Sequence, residues 1–166
     1  MIFLNILKKS KGIIFLILII SCSKKVKNTN EDTSYQKWEN LEVETRCQTI
    51  KISKFSDSAE YENIVYKKGV YDIPPKYVID KKQKYKVYFS KSEKDSLARY
   101  IYESVTNPKF TNILATDYVG NVKLKFDREN MNLICEYKSV GRWNEVSQNT
   151  KKIYELIKSK VEISEQ

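Results

Sequence analysis

Histidine is absent from these 166 residues. That removes the side chain titrating nearest neutral pH, and with it the commonest general base and the usual zinc or copper ligand. Glycine occurs four times and never in a cluster, so no glycine-rich loop is present to cradle a phosphate. Arginine is confined to Arg46, Arg99, Arg128 and Arg142, and lysine supplies the rest of a formal charge of +9. A chain that grips phosphate favours the bidentate guanidinium fork, so this lysine excess does not read as nucleic-acid binding. Long apolar runs are missing too. The run at residues 13–20, IIFLILII, falls well short of the roughly 20 apolar residues that a spanning helix needs. No metal, no cofactor and no catalytic constellation are expected from these absences.

What is present begins at that short run. Lys8, Lys9 and Lys11 precede it, and Ile19-Ile20-Ser21-Cys22 ends it before the chain turns basic at Lys24 and Lys25. A basic start, a short apolar core and a small residue before a cut describe a secretory signal. The four residues at its end resemble the lipobox of bacterial lipoproteins, in which the cysteine thiol takes a diacylglycerol and the chain is cut just before it. The resemblance covers only about the first 25 residues. It implies lipidation at Cys22, an extracytoplasmic location and a membrane partner through the lipid. Ser23 after the anchor is similar to the outer-membrane-sorted members of that class. Residues 1–21 are thus expected to form a signal peptide and 22–36 a polar tether. Residues 37–166 are expected to form a single globular domain. Losing residues 1–21 removes Lys8, Lys9 and Lys11 and no acid, which takes the charge from +9 to +6.

The domain reads as α+β, a small antiparallel sheet with two helices packed on one face. Residues 85–90, YKVYFS, are strand-like, and Ser90 with Glu93 makes a capping box ahead of Leu97, Tyr100, Ile101, Ser104 and Val105 at helical spacing. Asn107-Pro108 ends that helix. Val122, Leu124 and Phe126 alternate with lysines, DREN makes a four-residue turn, and Met131, Leu133, Cys135 and Tyr137 alternate on the return. This spacing sets Phe126 opposite Met131. Ser147 caps a last helix with Ile153, Leu156, Ile157 and Val161 on one stripe. Residues 41–53 alternate and then change phase, which a bulge near Gln48-Thr49 explains; a helix from Ser34 through Trp38 and Leu41 is the alternative. Residues 72–80, DIPPKYVID, read as an extended loop.

Carboxylates recur at i, i+2 spacing as Glu42 with Glu44, Glu60 with Glu62 and Asp127 with Glu129. On a strand such pairs share the wet face, and Asp117 is a loop acid of the kind turns use. An envelope hydrolase working with these acids is the alternative to a non-catalytic module. A purely structural lipoprotein is the other. Cys47 and Cys135, both on apolar strand faces in an exported chain, are disulfide candidates against the reading of two buried thiols. Between residues 66 and 88 five tyrosines stand among seven lysines. Lys81, Lys82 and Lys84 in a Pro-bounded loop, with Tyr85 and Tyr88 on one strand face, would suit an acidic protein or an anionic envelope component. The sequence therefore reads as a lipid-anchored binding module, with an immunity or inhibitor protein as one concrete form.

Overall fold

The structure, a computed structural model, describes residues 33–68, 77–109 and 120–165. It is an α+β fold: one six-stranded antiparallel sheet and two helices. The strands are β1 (Asn40–Thr45), β2 (Gln48–Ser53), β3 (Ser58–Lys68), β4 (Tyr77–Tyr88), β5 (Gly120–Arg128) and β6 (Met131–Val140). Helix α1 spans Lys91–Thr106 and α2 spans Gln148–Lys158. The order across the sheet is β4-β3-β2-β1-β5-β6, so the chain meanders outward through four strands and returns over α1 to add β5 on the far side of β1.

Alternation builds the covered face. Leu41, Val43, Ile50, Ile52, Ala59, Tyr61, Val122, Leu124 and Phe126 all point to it and are buried. Leu97, Ala98 and Ile101 of α1 and Ile153 and Ile157 of α2 complete the same core. Both helices begin with capping boxes. Ser90 accepts from the Glu93 amide and Glu93 returns to the Ser90 amide (2.7 Å), while Ser147 and Thr150 make the same exchange at α2. Lys160 reaches Glu93 at 2.9 Å, and that pairing holds the Glu93 carboxyl below its ordinary pKa. After α2 the chain closes over the core: Val161 and Ile163 are buried, Trp143 Nε1 donates to the Ser164 carbonyl (2.6 Å), and the Tyr61 hydroxyl donates to the Glu162 carbonyl (2.5 Å). Val161, expected on the helical stripe, lies beyond the end of α2. Trp143 is fully buried and packs edge-on against Tyr154 at 5.5 Å.

Three local expectations are corrected. Residues 41–53 are not one bulged strand but a hairpin, with Leu41 opposite Ile52 and Val43 opposite Ile50. The phase change is the signature of a two-residue turn at Arg46-Cys47, which Thr45 stabilises by accepting from the Gln48 amide at 3.0 Å. The β5–β6 turn is also two residues rather than four, so Phe126 faces Leu133 and Leu124 faces Cys135. A shift of two keeps every side chain on its face, which is why the apolar assignment survives it. Glu129 makes this turn with φ 47°, a left-handed conformation that glycine or asparagine adopts more readily. Third, the segment ahead of β1 is not the start of a helix running into Leu41. A single 3-10 turn, Thr33–Lys37, replaces the alternative helix through Leu41 and packs Tyr35 against the core.

Cys47 and Cys135 are both free. Cys135 pairs with Leu124, which pairs with Val43, so it stands two strands and roughly 10 Å away from β1. Cys47 lies four residues further along, in the turn, beyond the ~7 Å Cα separation that a disulfide spans. The bridge expected from the strand faces is therefore not made. Burial pushes the Cys135 thiol pKa up, whereas Cys47 is half-exposed. In a chain with Cys22→Ala, Cys47 should alkylate readily in the folded state and Cys135 slowly, and both should alkylate on unfolding without reductant. Recovery of fewer than two reactive thiols from that unfolded, unreduced sample would contradict the arrangement.

Candidate functional site

The second face of the sheet has no helix over it among the described residues. By the same alternation it carries the charged side chains, and the strand registers align them into transverse rows. In one row Lys125, Glu42, Lys51, Glu60 and Lys86 follow one another across β5, β1, β2, β3 and β4. In the next, Glu136, Lys123, Glu44, Thr49, Glu62 and Lys84 do so from β6 to β4. Signs alternate along both rows, with Thr49 standing between two glutamates. Lys125 meets Glu42 at 2.8 Å, Lys123 meets Glu44 at 2.9 Å and Lys84 meets Glu62 at 2.7 Å. These contacts hold Glu62 below the carboxylate range and lift Lys84 and Lys123. Exposed pairs of this kind are screened by water and salt and contribute little to stability one by one. Together they neutralise the face and fix its register.

The rows border an open depression of about 610 Å³ lined by Glu42, Glu44, Lys51, Glu60, Glu62 and Lys84 among others. Its carboxylates are thus the strand pairs noted in the sequence, and Glu42, Glu44 and Glu62 are tied to lysines. Asp127 differs. It faces Asn40 across β1, its Oδ1 is buried without a hydrogen-bond partner, and it lines an adjoining hollow of about 370 Å³ with Glu42 and Glu60. Desolvation raises its pKa, and the neighbouring Glu42 adds to the shift. Spacing alone had paired Asp127 with Glu129, which sits in the turn. The relevant neighbour comes from another strand, and only the register reveals it. Asp117 lies outside the described residues. Among the described residues no three Cys, Asp or Glu side chains are grouped to hold a metal ion.

The expected partner-binding residues fall on β4, the edge strand, and not in a loop. Lys82 and Lys84 project to the charged face, at 4.0 Å and 2.7 Å from Glu62. Lys81 stands in register with Val65 on the opposite side. Tyr85 and Tyr88 also take opposite faces, as a separation of three residues on a strand requires. Tyr85 pairs with Tyr61, ring to ring at 4.8 Å, at the rim of the core; Tyr88 pairs with Ser58 and is 68% exposed. Missing from the expectation was the long reach of this hairpin. Val65, Tyr66, Tyr77, Val78 and Ile79 are all exposed on it. Cys22 precedes the described residues, and no described helix is long and apolar enough to cross a membrane. No protein-family model, curated protein or solved structure matches this chain.

Asp127 gives the site a pH signature opposite in sign to that of most carboxylates. Its folded pKa lies above the unfolded one, so the native state holds the proton more tightly. Stability is therefore lost as pH rises from the ordinary aspartate range, ~3.9, through the folded pKa. Asp127→Asn should melt higher than the parent at pH 7, by about 1 kcal/mol or less. The gain should vanish below the ordinary aspartate value, as followed by thermal melts across pH. An equal or lower melting temperature at pH 7 would contradict the assignment.

Proposed function

We propose that this chain is a bacterial lipoprotein, anchored through lipid on Cys22 outside the cytoplasm, whose domain acts as a non-catalytic binding module. The observation that carries the reading is the ordered set Lys8, Lys9 and Lys11, apolar residues 13–20, then Ile19-Ile20-Ser21-Cys22. Two acyl chains hold a protein at a membrane firmly where one does so only reversibly. Ser23 favours outer-membrane sorting. The domain supports binding over chemistry because three acids of its open face are engaged: Glu42, Glu44 and Glu62 each hold a lysine at 2.7–2.9 Å. Exposed tyrosines and aliphatic residues on the β3–β4 hairpin supply contact area of the kind interfaces use. An immunity or inhibitor protein is a concrete form that needs only a rigid surface and an anchor where an attacker arrives.

The second reading, an envelope hydrolase, draws on Asp127, a carboxyl with a raised pKa in a hollow beside the carboxylate Glu42. Such a pairing suits a general acid beside a base. Against it, Glu42 is held by Lys125 and the hollow is open to water.

Palmitate labelling of cells followed by crosslinked capture of the protein tests both halves. The wild-type chain should incorporate label and Cys22→Ala should neither incorporate it nor be cut before residue 22. Capture should return one envelope component in stoichiometric amount. Label persisting in Cys22→Ala would refute the anchor, and turnover of an envelope polymer that disappears in Asp127→Asn would replace the binding module with the hydrolase.

A further inference from the structure

The β3–β4 hairpin outruns the sheet. β2 pairs with β3 only from Lys51↔Glu60 to Gln48↔Asn63, with one further backbone bond from the Ile64 amide to the Cys47 carbonyl at 2.7 Å. Beyond that point, among the described residues, 65–68 have only β4 beside them, and β4 is the edge of the sheet. Residues 65–68 and 77–82 are thus a two-stranded ribbon, and every one of them is exposed. Two strands alone are marginal in water, and polar side chains would suit them best. This ribbon instead carries Val65, Tyr66, Tyr77, Val78 and Ile79, each 38–59% exposed.

Register places these side chains on both faces. Tyr66 stands opposite Ile79, and Tyr77 shares their face two residues along; Val78 stands opposite Lys67 on the other face, with Val65 two residues from Lys67. The register shift at Val65/Tyr66 leaves Asp80 as the extra residue of β4, and Asp80 meets Lys67 at 3.3 Å. Lys67, Lys68, Lys81 and Lys82 outnumber that single acid on the ribbon.

We infer that this ribbon is a membrane-seating arm, which enters the headgroup zone of an anionic bilayer. Three observations favour lipid over a protein partner. A protein docking on a ribbon covers one of its faces, whereas immersion in an interface accommodates apolar residues on both. Tyrosine sits well at the headgroup level, apolar body inward and hydroxyl outward. Lysine is depleted in protein interface cores, but its stem lies along apolar surface while its ammonium meets anionic headgroups. The anchor reaches the arm through an extended tether: the described chain starts at the other end of the sheet, where Glu42 is level with Glu60, roughly 26 Å along β3 from Lys68, and the eleven residues 22–32 extend at most about 40 Å. The inference rests on the lipoprotein reading for that reach, and on the ribbon alone for its lipid contact.

Tryptophan fluorescence separates the two. Trp38 and Trp143 are 1% and 0% exposed, so an added tryptophan dominates quenching from outside. Full-length mature chain carrying Tyr77→Trp is reconstituted in vesicles of phosphatidylcholine and phosphatidylglycerol with brominated acyl chains. Phe55→Trp, at the turn before β3 and 83% exposed, is the control at the opposite end of the hairpin. Tyr77→Trp emission should fall on brominated lipid while Phe55→Trp stays unchanged. Adding Lys81→Glu and Lys82→Glu should restore the Tyr77→Trp signal, since each lysine near an anionic surface is worth roughly fivefold in its attraction. Ile79→Trp serves if Tyr77→Trp fails to fold. Equal quenching at the two ends, or none at either, overturns the arm. The mass of the same sample reports lipid on Cys22 independently; a chain without it sinks the anchor reading, and excess vesicles then still score the arm.

Discussion

A six-stranded sheet whose described helices cover one face must make its second face acceptable to water, and much of this molecule follows from that. Alternation sends Leu41, Val43, Ile50 and Leu124 under the helices and Glu42, Glu44, Lys51 and Lys125 to solvent. Like charges set opposite one another would loosen the strands, so the registers that bring Lys125, Glu42, Lys51, Glu60 and Lys86 into an alternating row are the ones charge favours. Slipping any strand by one residue would bury a row of charges and expose the core. Register is therefore specified from both sides of the sheet. The same self-pairing leaves the open face electrically quiet, a poor electrostatic lure for a charged ligand, and shifts attention to the edge.

The edge is where the constraint relaxes. β4 carries Lys81, Lys82, Lys84 and Lys86 along its length, a pattern that discourages another strand from pairing with it. Among the described residues the distal part of β3 and β4 has no strand beside the pair and no layer above or below, so its apolar residues contribute little to the described core. Stability comes from elsewhere: the buried cluster, two capping boxes and the C-terminal segment, whose carbonyls at Glu162 and Ser164 receive Tyr61 and Trp143. The molecule thus separates into a sheet-and-helix body that holds the fold and a ribbon that is free to meet something else.

How much of this could be read from the residues depended on whether burial writes a pattern. Where one face is covered and the other wet, the pattern was plain: both helices, their caps at Ser90 and Ser147, and strands β5 and β6 were legible. Turns lacking glycine were less so: the one at Arg46-Cys47 leaves only a phase change, and the one within DREN is located but read two residues too long. Arg46-Cys47 has none of the usual turn residues, and the work is done by the Thr45 hydroxyl; Glu129 adopts φ 47° where Gly or Asn would have announced the turn. The start of β4 reads as loop because residues 77–82 are exposed on both faces and so show no alternation. Spacing pairs Asp127 with the wrong acid, Glu129, for another reason. Its neighbour Glu42 is distant in sequence, and only strand order brings the two together.

The division into a stabilised body and an unlayered arm is the claim on which the functional reading leans. Native-state hydrogen exchange of the folded chain, free of lipid, measures it directly. Amides of β1 and β5, central in the sheet and under the helices, should open only with global unfolding. Those of residues 65–68 and 77–81 should exchange orders of magnitude faster, through local fraying that leaves the body intact. Protection in the ribbon equal to that of β1 would contradict the account, because it would mean that the ribbon is part of the core and not held out for a partner surface.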